Sequence, residues 1–204
     1  MQPPRPRRLA PSAALSVLPA LACALAAAPA ALPAAAQKAV ADGYLCCNLR
    51  VNGGWASDLN DPRSGGRVLP LGSKVVGLAY GTAQVDVEIE GAKVSIGNDY
   101  SRNLPMEQFA ARWIVAKDPT PEMRGWSPKM QQAVKGGRLM RGMERRQVLM
   151  AVGWPTLRNT PNIEDPVWTY PAANGYTYKV VFDEHWRVKA IDASEETRAL
   201  VMMP

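Results

Sequence analysis

The chain has 204 residues, with 24 Lys and Arg against 18 Asp and Glu and a formal net charge of +6. That length admits one or two compact domains. A single histidine and three cysteines are too few and too scattered to suggest a metal centre by spacing.

Arg5, Arg7 and Arg8 precede an Ala/Leu-rich run from Leu9 to Ala28, and Ala34-Ala35-Ala36 supplies an A-x-A site. This order predicts a secretory signal over residues 1–36, cleaved after Ala36. Pro11, Pro19 and Pro29 interrupt the apolar run and argue against a retained membrane helix. Two alternatives stay open: a twin-arginine signal at Arg7-Arg8, and lipidation at Cys23 after Ala20-Leu21-Ala22. Loss of the leader removes three arginines and leaves 21 Lys and Arg against 18 Asp and Glu, a net of +3. So modest a charge, on an exported chain, argues against a nucleic-acid partner.

From Tyr44 to Gly97 the pattern is that of strands, predicting a small β-module over residues 44–97. Tyr44 to Val51 reads as one strand, followed by a turn-rich stretch through Asn52-Gly53-Gly54 and Asn60 to Gly66. Arg67 to Leu71, Lys74 to Tyr80, Gln84 to Glu90 and Lys93 to Ile96 complete five strands. Val85, Val87 and Ile89 alternate with Asp86, Glu88 and Glu90, as a sheet with one buried and one wet face requires. Five short strands suggest a curled sheet or barrel. The run L-P-L-G-S-K-V-V and the following V-D-V-E-I-E-G-A-K-V-S-I-G are similar to bacterial Src-homology-like barrels.

Residues 98–126 predict a helix and a linker. Phe109, Ala110, Trp113 and Ile114 have helical spacing within Leu104 to Ala116, and Asp118-Pro119 ends that helix. Pro119, Pro121 and Gly125 mark the linker. Ser127-Pro128 opens a second helix, with Ser as cap and Pro at the first position, running to about Lys135. A third helix lies in G-M-E-R-R-Q-V-L-M-A-V-G-W-P, stopped by Gly153 with Pro155 just beyond. Then the period changes to two: Val167 to Tyr170, Tyr176 to Phe182 and Val188 to Ile191 read as a three-strand meander. The residues from 194 to 204 offer no packing pattern and are expected to fray.

The third helix and the meander carry a resemblance. Gly142, Met143, Gln147, Val148, Gly153 and Pro155 match the G-M-[ST]-x-x-Q-V-x-x-x-L-G-x-P pattern of the SmpA/OmlA/BamE family of small bacterial envelope proteins. Trp168 and Tyr170 match its W-x-Y strand, and Phe182, Asp183 and Val188 its F-D-x-x-G-x-[VL]. Residues 127–193, a third of the chain, resemble that family. The chain departs from the pattern twice. Glu144 replaces the Ser or Thr cap, which predicts a poorer cap without a capping box, at a cost of roughly 0.5–1 kcal/mol. Trp186 stands in place of the glycine that supplies positive φ in the last hairpin, which predicts a turn of another shape.

The fold class is thus α+β, a small β-module followed by an α-α-β-β-β module resembling the family. The resemblance implies a non-enzymatic envelope protein acting by protein–protein contacts in outer-membrane maintenance or β-barrel assembly. It also implies a periplasmic location, free or attached to the outer membrane, and no cofactor. The alternative is a binding or inhibitor module for a periplasmic enzyme, since the same plan resembles β-lactamase-inhibitor proteins, whose sheet presents aromatic residues. A third reading is a cell-wall enzyme using Cys46 or Cys47 with His185.

Against catalysis stands the setting of these residues: His185 lies in a turn, and Cys46 and Cys47 lie in a strand rather than at a helix N-terminus. The adjacent cysteines admit a ring with each other, pairing between molecules, or a life as small buried hydrophobes. The nine methionines predict core filling, and Trp55, Trp126, Trp154 and Trp186 are contact anchors or core covers beside turns. One segment stands out by charge. Lys129 to Arg146 holds six cations, namely Lys129, Lys135, Arg138, Arg141, Arg145 and Arg146, against Glu144 alone. Lys135, Arg138, Arg141, Arg145 and Arg146, with Trp186, are the candidate interaction residues, facing an acidic partner or an anionic lipid surface. The plain alternative is a solvated helix face.

Overall fold

The computed structural model describes residues 39–171 and 176–204. The expected leader with its cleavage site and Cys23, and residues 172–175, lie outside the described residues. The fold is mixed α+β, and residues from Gln37 onward form one compact unit. Among the described residues no helix is long and apolar enough to cross a membrane.

The β-rich half departs from the sequence reading at its first strand. Tyr44 to Val51 is not continuous: β1 (Gly43–Leu45) stops where Cys46 and Cys47 form a disulfide with each other, and β2 (Leu49–Val51) begins beyond the bend. A bond between adjacent side chains is incompatible with their pointing to opposite faces of a strand. The segment expected to be turn also holds β3 (Trp55–Ser57). After it come β4 (Arg67–Leu69), β5 (Lys74–Tyr80), β6 (Gln84–Ile89) and β7 (Ala92–Gly97), so the region holds seven strands where five were expected.

The strands form a curled six-stranded sheet and a ribbon. After α1 (Met106–Trp113) the chain adds β8 (Ile114–Val115), and the sheet order is β3-β7-β6-β5-β1-β8. β2 and β4 pair apart from it as a two-stranded ribbon. β3 runs parallel to β7, from the far side of the loop. The alternation along β6 holds, with Val85, Val87 and Ile89 fully buried. The first helix ends earlier than its periodicity predicts, because Ile114 and Val115 pair with Leu45 and Tyr44. Both are β-branched and well suited to a strand.

In place of an irregular linker, Thr120–Gly125 is a 3-10 helix. α2 (Pro128–Lys135) starts as predicted: Ser127 Oγ accepts from Met130 N–H at 3.3 Å and Pro128 occupies the first turn. α3 (Arg145–Val152) corrects the expectation of a missing capping box. Gln147 Oε1 accepts from the Glu144 N–H at 2.9 Å, and Glu144 closes the box from its own side chain. A carboxylate oxygen can stand in for the hydroxyl here because an acceptor is what the orphan N–H needs.

The meander β9 (Val167–Pro171), β10 (Thr177–Phe182) and β11 (Val188–Asp192) is antiparallel in the order β11-β10-β9. Its inner face packs Trp168, Tyr170, Tyr178, Val180 and Phe182 into the helices, with Trp168 edge-on to Phe182 at 4.8 Å. The tail does not fray as expected. Ser194 caps α4 (Glu195–Val201), Val201 is buried, and Leu139 N–H bonds to Val201 O at 2.7 Å. A hydroxyl cap and two buried positions one turn apart, Thr197 and Val201, hold it down.

Each half has its own apolar cluster, and side chains cross between them. Leu71, just after β4, packs in the second cluster, while Trp154 packs on the first. Asn48, beside the disulfide, is buried in the seam: its Nδ2 donates to Val134 O at 2.7 Å and Ala151 O at 3.0 Å. Its Oδ1 accepts from Leu71 N–H at 3.1 Å. Asn60 donates to Asn48 O at 2.9 Å and Val152 O at 3.0 Å, and accepts from Arg50 N–H at 2.7 Å. Gly153 lies at the same seam with φ +85°, where a Cβ would press on Trp113 at 3.1 Å. Glycine is required there for both reasons.

Candidate functional site

Of the candidate cations Arg145 and Arg146 open α3, Lys135 ends α2, and the fold already engages most of the set. Residues 144, 145 and 146 each join a different part of the chain. Glu144 pairs with Arg187 at 2.9 Å, Arg145 with both oxygens of Glu164 at 2.9 and 3.0 Å, and Arg146 with Glu122 at 2.9 and 3.0 Å. The Arg145 contact holds the Glu164 carboxyl below its usual range, and the Arg146 contact does the same for Glu122. Exposed pairs of this kind add little to stability, and their effect is to cancel the positive charges of Arg145, Arg146 and Arg187 in the surface field.

Arg145 has a further duty. Its guanidinium lies 4.4 Å from the centroid of Trp186 and 5.3 Å from that of Trp168, and it donates to Ile163 O at 2.5 Å. The arginine therefore fills the space between a buried and an exposed indole. Arg138 is also occupied, donating to the Ala199 and Leu200 carbonyls at the end of α4, where a cation complements the helix dipole. Lys135 and Arg141 are exposed and form no ion pair among the described residues, and the same holds for Lys129. The sequence spacing could not reveal these pairings. Glu122, Glu164 and Arg187 stand far from α3 in the chain and reach it only through the fold.

Trp186 stands at the tip of the β10–β11 hairpin with its ring 6.4 Å from Phe182 and is 37% exposed. Contrary to the sequence reading, it does adopt the glycine-like conformation, with φ +58°. Asp183 fixes the turn: its Oδ1 accepts from the His185 and Arg187 N–H groups, each at 2.9 Å, which holds its carboxyl below the usual range. These bonds and the Arg145 stack offset the strain of positive φ in a bulky residue.

The residues considered for catalysis are not brought together. His185 is exposed on the hairpin with Glu184 at 3.6 Å, whereas Cys46 and Cys47 are buried in the first cluster and bonded to each other. Met123, Met143 and Met150 are buried in the second core. Trp126 and Trp154 are half-buried covers, while Trp55 and Trp186 are the more exposed indoles. The aromatic residues within the three strands face inward, while Tyr176, just before β10, is exposed beneath Arg63, and the outer face carries the cross-strand row Val167, Val181 and Ala190.

One acid at the far end of the β-rich half escaped the sequence reading. Asp58 is buried, accepting from Asp99 N–H at 3.2 Å and Tyr100 N–H at 3.1 Å. Burial raises its pKa to about 6, against the hydrogen bonds from Ser101 and Tyr100 that lower it. No family model, curated protein or solved structure matches this chain.

Proposed function

We propose that the mature chain is a non-enzymatic protein of the bacterial envelope that acts by protein–protein contacts, in outer-membrane maintenance or β-barrel assembly. The observation that carries this reading is the placement of the motif residues it rests on. Met143 and Val148 are core, Gln147 caps α3, Gly153 turns the chain with positive φ, and Trp168, Tyr170 and Phe182 face the helices. These are the positions that the SmpA/OmlA/BamE pattern needs if its residues specify a helix pair on a three-strand meander. The β-rich half, similar in sequence to Src-homology-like barrels, then serves as a second contact surface fixed to the first through Asn48 and Asn60.

Contacts of such a protein form on rigid exposed features rather than in a reactive cleft. Trp186, held over Arg145, is one of these, and large exposed aromatics are efficient anchors at interfaces. Lys129, Lys135 and Arg141 remain for an acidic partner or an anionic lipid surface. The alternative of an enzyme inhibitor presenting aromatic residues on its sheet draws no support from the strands themselves, whose aromatics Trp168, Tyr170, Tyr178 and Phe182 are buried.

The test is a pull-down from solubilised envelope membranes with the tagged whole chain, followed by mass spectrometry. Enrichment of outer-membrane assembly proteins, lost in Trp186→Asp, supports the reading. Recovery of one hydrolase as the main partner contradicts it. The N-terminus of the purified mature protein decides attachment: Gln37 marks a free periplasmic protein, a lipid-modified Cys23 an anchored one.

A further inference from the structure

A cleft of about 320 Å³ opens beside β3 on the β-rich half. Small-molecule sites span ~300–1,000 Å³, so it matches a ligand of one ring rather than a chain.

Trp55 forms its wall. Ala56 is fully buried, so its strand neighbours Trp55 and Ser57 turn outward from the sheet. The indole is 41% exposed and rests against Gly97, where a Cβ would overlap its Cζ2 and lie 2.8 Å from its Cε2. Its backbone is equally fixed: Asn52 and Trp55 exchange hydrogen bonds at 2.9 and 3.0 Å around Gly53 and Gly54, and β3 pairs with β7. Arginine guanidinium groups cover the indoles of Trp154, Trp168 and Trp186, whereas among the described residues neither a cation nor a second ring stacks on Trp55. A rigid, uncovered indole offers a flat apolar surface at a low ordering cost.

The rest of the cleft is polar and, where it is open, neutral. Asn52, Ser57 and Ser64 border it together with Leu59. Ser64 Oγ donates to Asp61 O at 2.8 Å and keeps lone pairs with which to accept, while Ser57 Oγ accepts from Leu59 N–H at 3.4 Å and keeps its proton to donate. Asn52 Nδ2 donates to Ser64 O at 3.4 Å, tying the hairpin to the facing loop, and its Oδ1 remains an acceptor. The two charged residues at the border are turned toward the protein. Asp61 is 3% exposed and its Oδ1 accepts from Arg63 N–H at 2.9 Å. The groups acting on Arg50 are Arg138, Asp61 and Tyr178, at the seam with the helix–sheet half.

A flat apolar wall beside neutral donors and acceptors fits a ring with one C–H face and a hydroxylated edge, which is the form of a neutral hexopyranose. An acid would find no cation here. A purely apolar ring would displace water from the amide and hydroxyls without replacing its hydrogen bonds.

We infer that this cleft binds one neutral hexose unit of a glycan, with Trp55 stacked on the C–H face of the sugar and Asn52, Ser57 and Ser64 bonded to its hydroxyls. The site is independent of the protein contacts proposed above and lies on the other half of the molecule.

The experiment is a titration of the whole chain with methyl glucoside and with methyl N-acetylglucosaminide, followed by NMR at the Trp55 indole N–H and the Gly97 amide. Saturable millimolar binding of at least one sugar is expected, as suits a ligand of about a dozen non-hydrogen atoms. Trp55→Ala weakens it at least ~10-fold, as removal of an aromatic anchor implies. Gly97→Ala keeps the indole but displaces it from its seat, and weakens binding as well. Cyclohexanol, which has the ring but a single hydroxyl, binds at least ~10-fold more weakly than the sugar because the other hydrogen bonds are lost. If Gly97→Ala does not fold, Trp55→Ala, which removes an exposed ring, carries the test. The inference is overturned by no saturable binding of either sugar up to ~50 mM, by cyclohexanol binding as tightly as the sugar, or by full affinity in a folded Trp55→Ala or Gly97→Ala protein.

Discussion

The two halves of the unit hold themselves together by different means. In the helix–sheet half, strands of five or six residues pair along their length with one bulge at Val181–Phe182, and the core is aromatic, with Trp168 against Phe182 and Tyr170 stacked on Tyr178 at 5.1 Å. In the β-rich half β5, β6 and β7 are as long, but the four strands before them have three residues each, too few for a ladder to hold on its own. Buried polar side chains complete the work there: Asn48 and Asn60 bond to backbone of the other half, and Asp58 gathers the amides of Asp99 and Tyr100. The aromatic half should therefore be broken by cavities, and the β-rich half by loss of a polar group.

The largest expected effect is in the aromatic core. Trp168→Ala removes a fully buried ring, its packing on Phe182 and its Nε1 bond to Ile163 O, and should cost ~3–5 kcal/mol in denaturant titration. Next is Asn48→Ala, which removes no large volume but takes the Asn48 partner from the Ala151 carbonyl and the Leu71 amide, while Val134 O keeps only its bond from Gly137 N–H. A loss of ~2–4 kcal/mol is expected, and a cost below ~1 would show that the seam does not depend on this side chain.

Asp58 gives the third test through pH. Its folded pKa of about 6 lies above the unfolded value, so the native state binds the proton more tightly. This group's contribution is then most favourable below about pH 4, falls as pH rises toward about 6, and is flat above that. Its full size is ~2–3 kcal/mol at most. The carboxylates paired with Arg145 and Arg146 act in the opposite sense, because acid removes their charge. The comparison that isolates Asp58 is wild type against Asp58→Asn: the variant gains stability relative to wild type as pH rises from 4 to 7. A constant difference across that range contradicts the account.

The smallest effect belongs to Trp186. Its ring is partly exposed and its backbone pays for positive φ, so Trp186→Ala should cost well under ~1 kcal/mol. Trp186→Gly relieves the backbone and should cost less still. A larger loss than in Trp168→Ala would reverse the inside and outside of the hairpin. The same variant is expected to weaken partner capture far more than it weakens the fold.

How much of this was legible in the sequence follows the same division. The Ser127-Pro128 start, the Gly153 stop and the alternation of β6 and the meander are local patterns, and their elements lie where the patterns put them. The bend at Cys46-Cys47, the short β3 and the strand at Ile114-Val115 were not legible, because each is decided by a partner distant in sequence. For Ile114 that partner is Leu45, and for Ala56 it is Ile96. The cationic segment shows the limit most clearly. Composition marks Arg145 and Arg146 as a surface patch, while Glu164 and Glu122, which neutralise them, belong to other segments.

The central claim is that buried side chains of the β-rich half make the two halves one body. It is tested most directly by urea unfolding of the wild type and Asn48→Ala, followed by hydrogen exchange in β6 and in β10. The account predicts coincident midpoints for both strands in the wild type, and midpoints that separate in Asn48→Ala as the seam weakens. Separate midpoints in the wild type, or coincident and unshifted ones in Asn48→Ala, would contradict it.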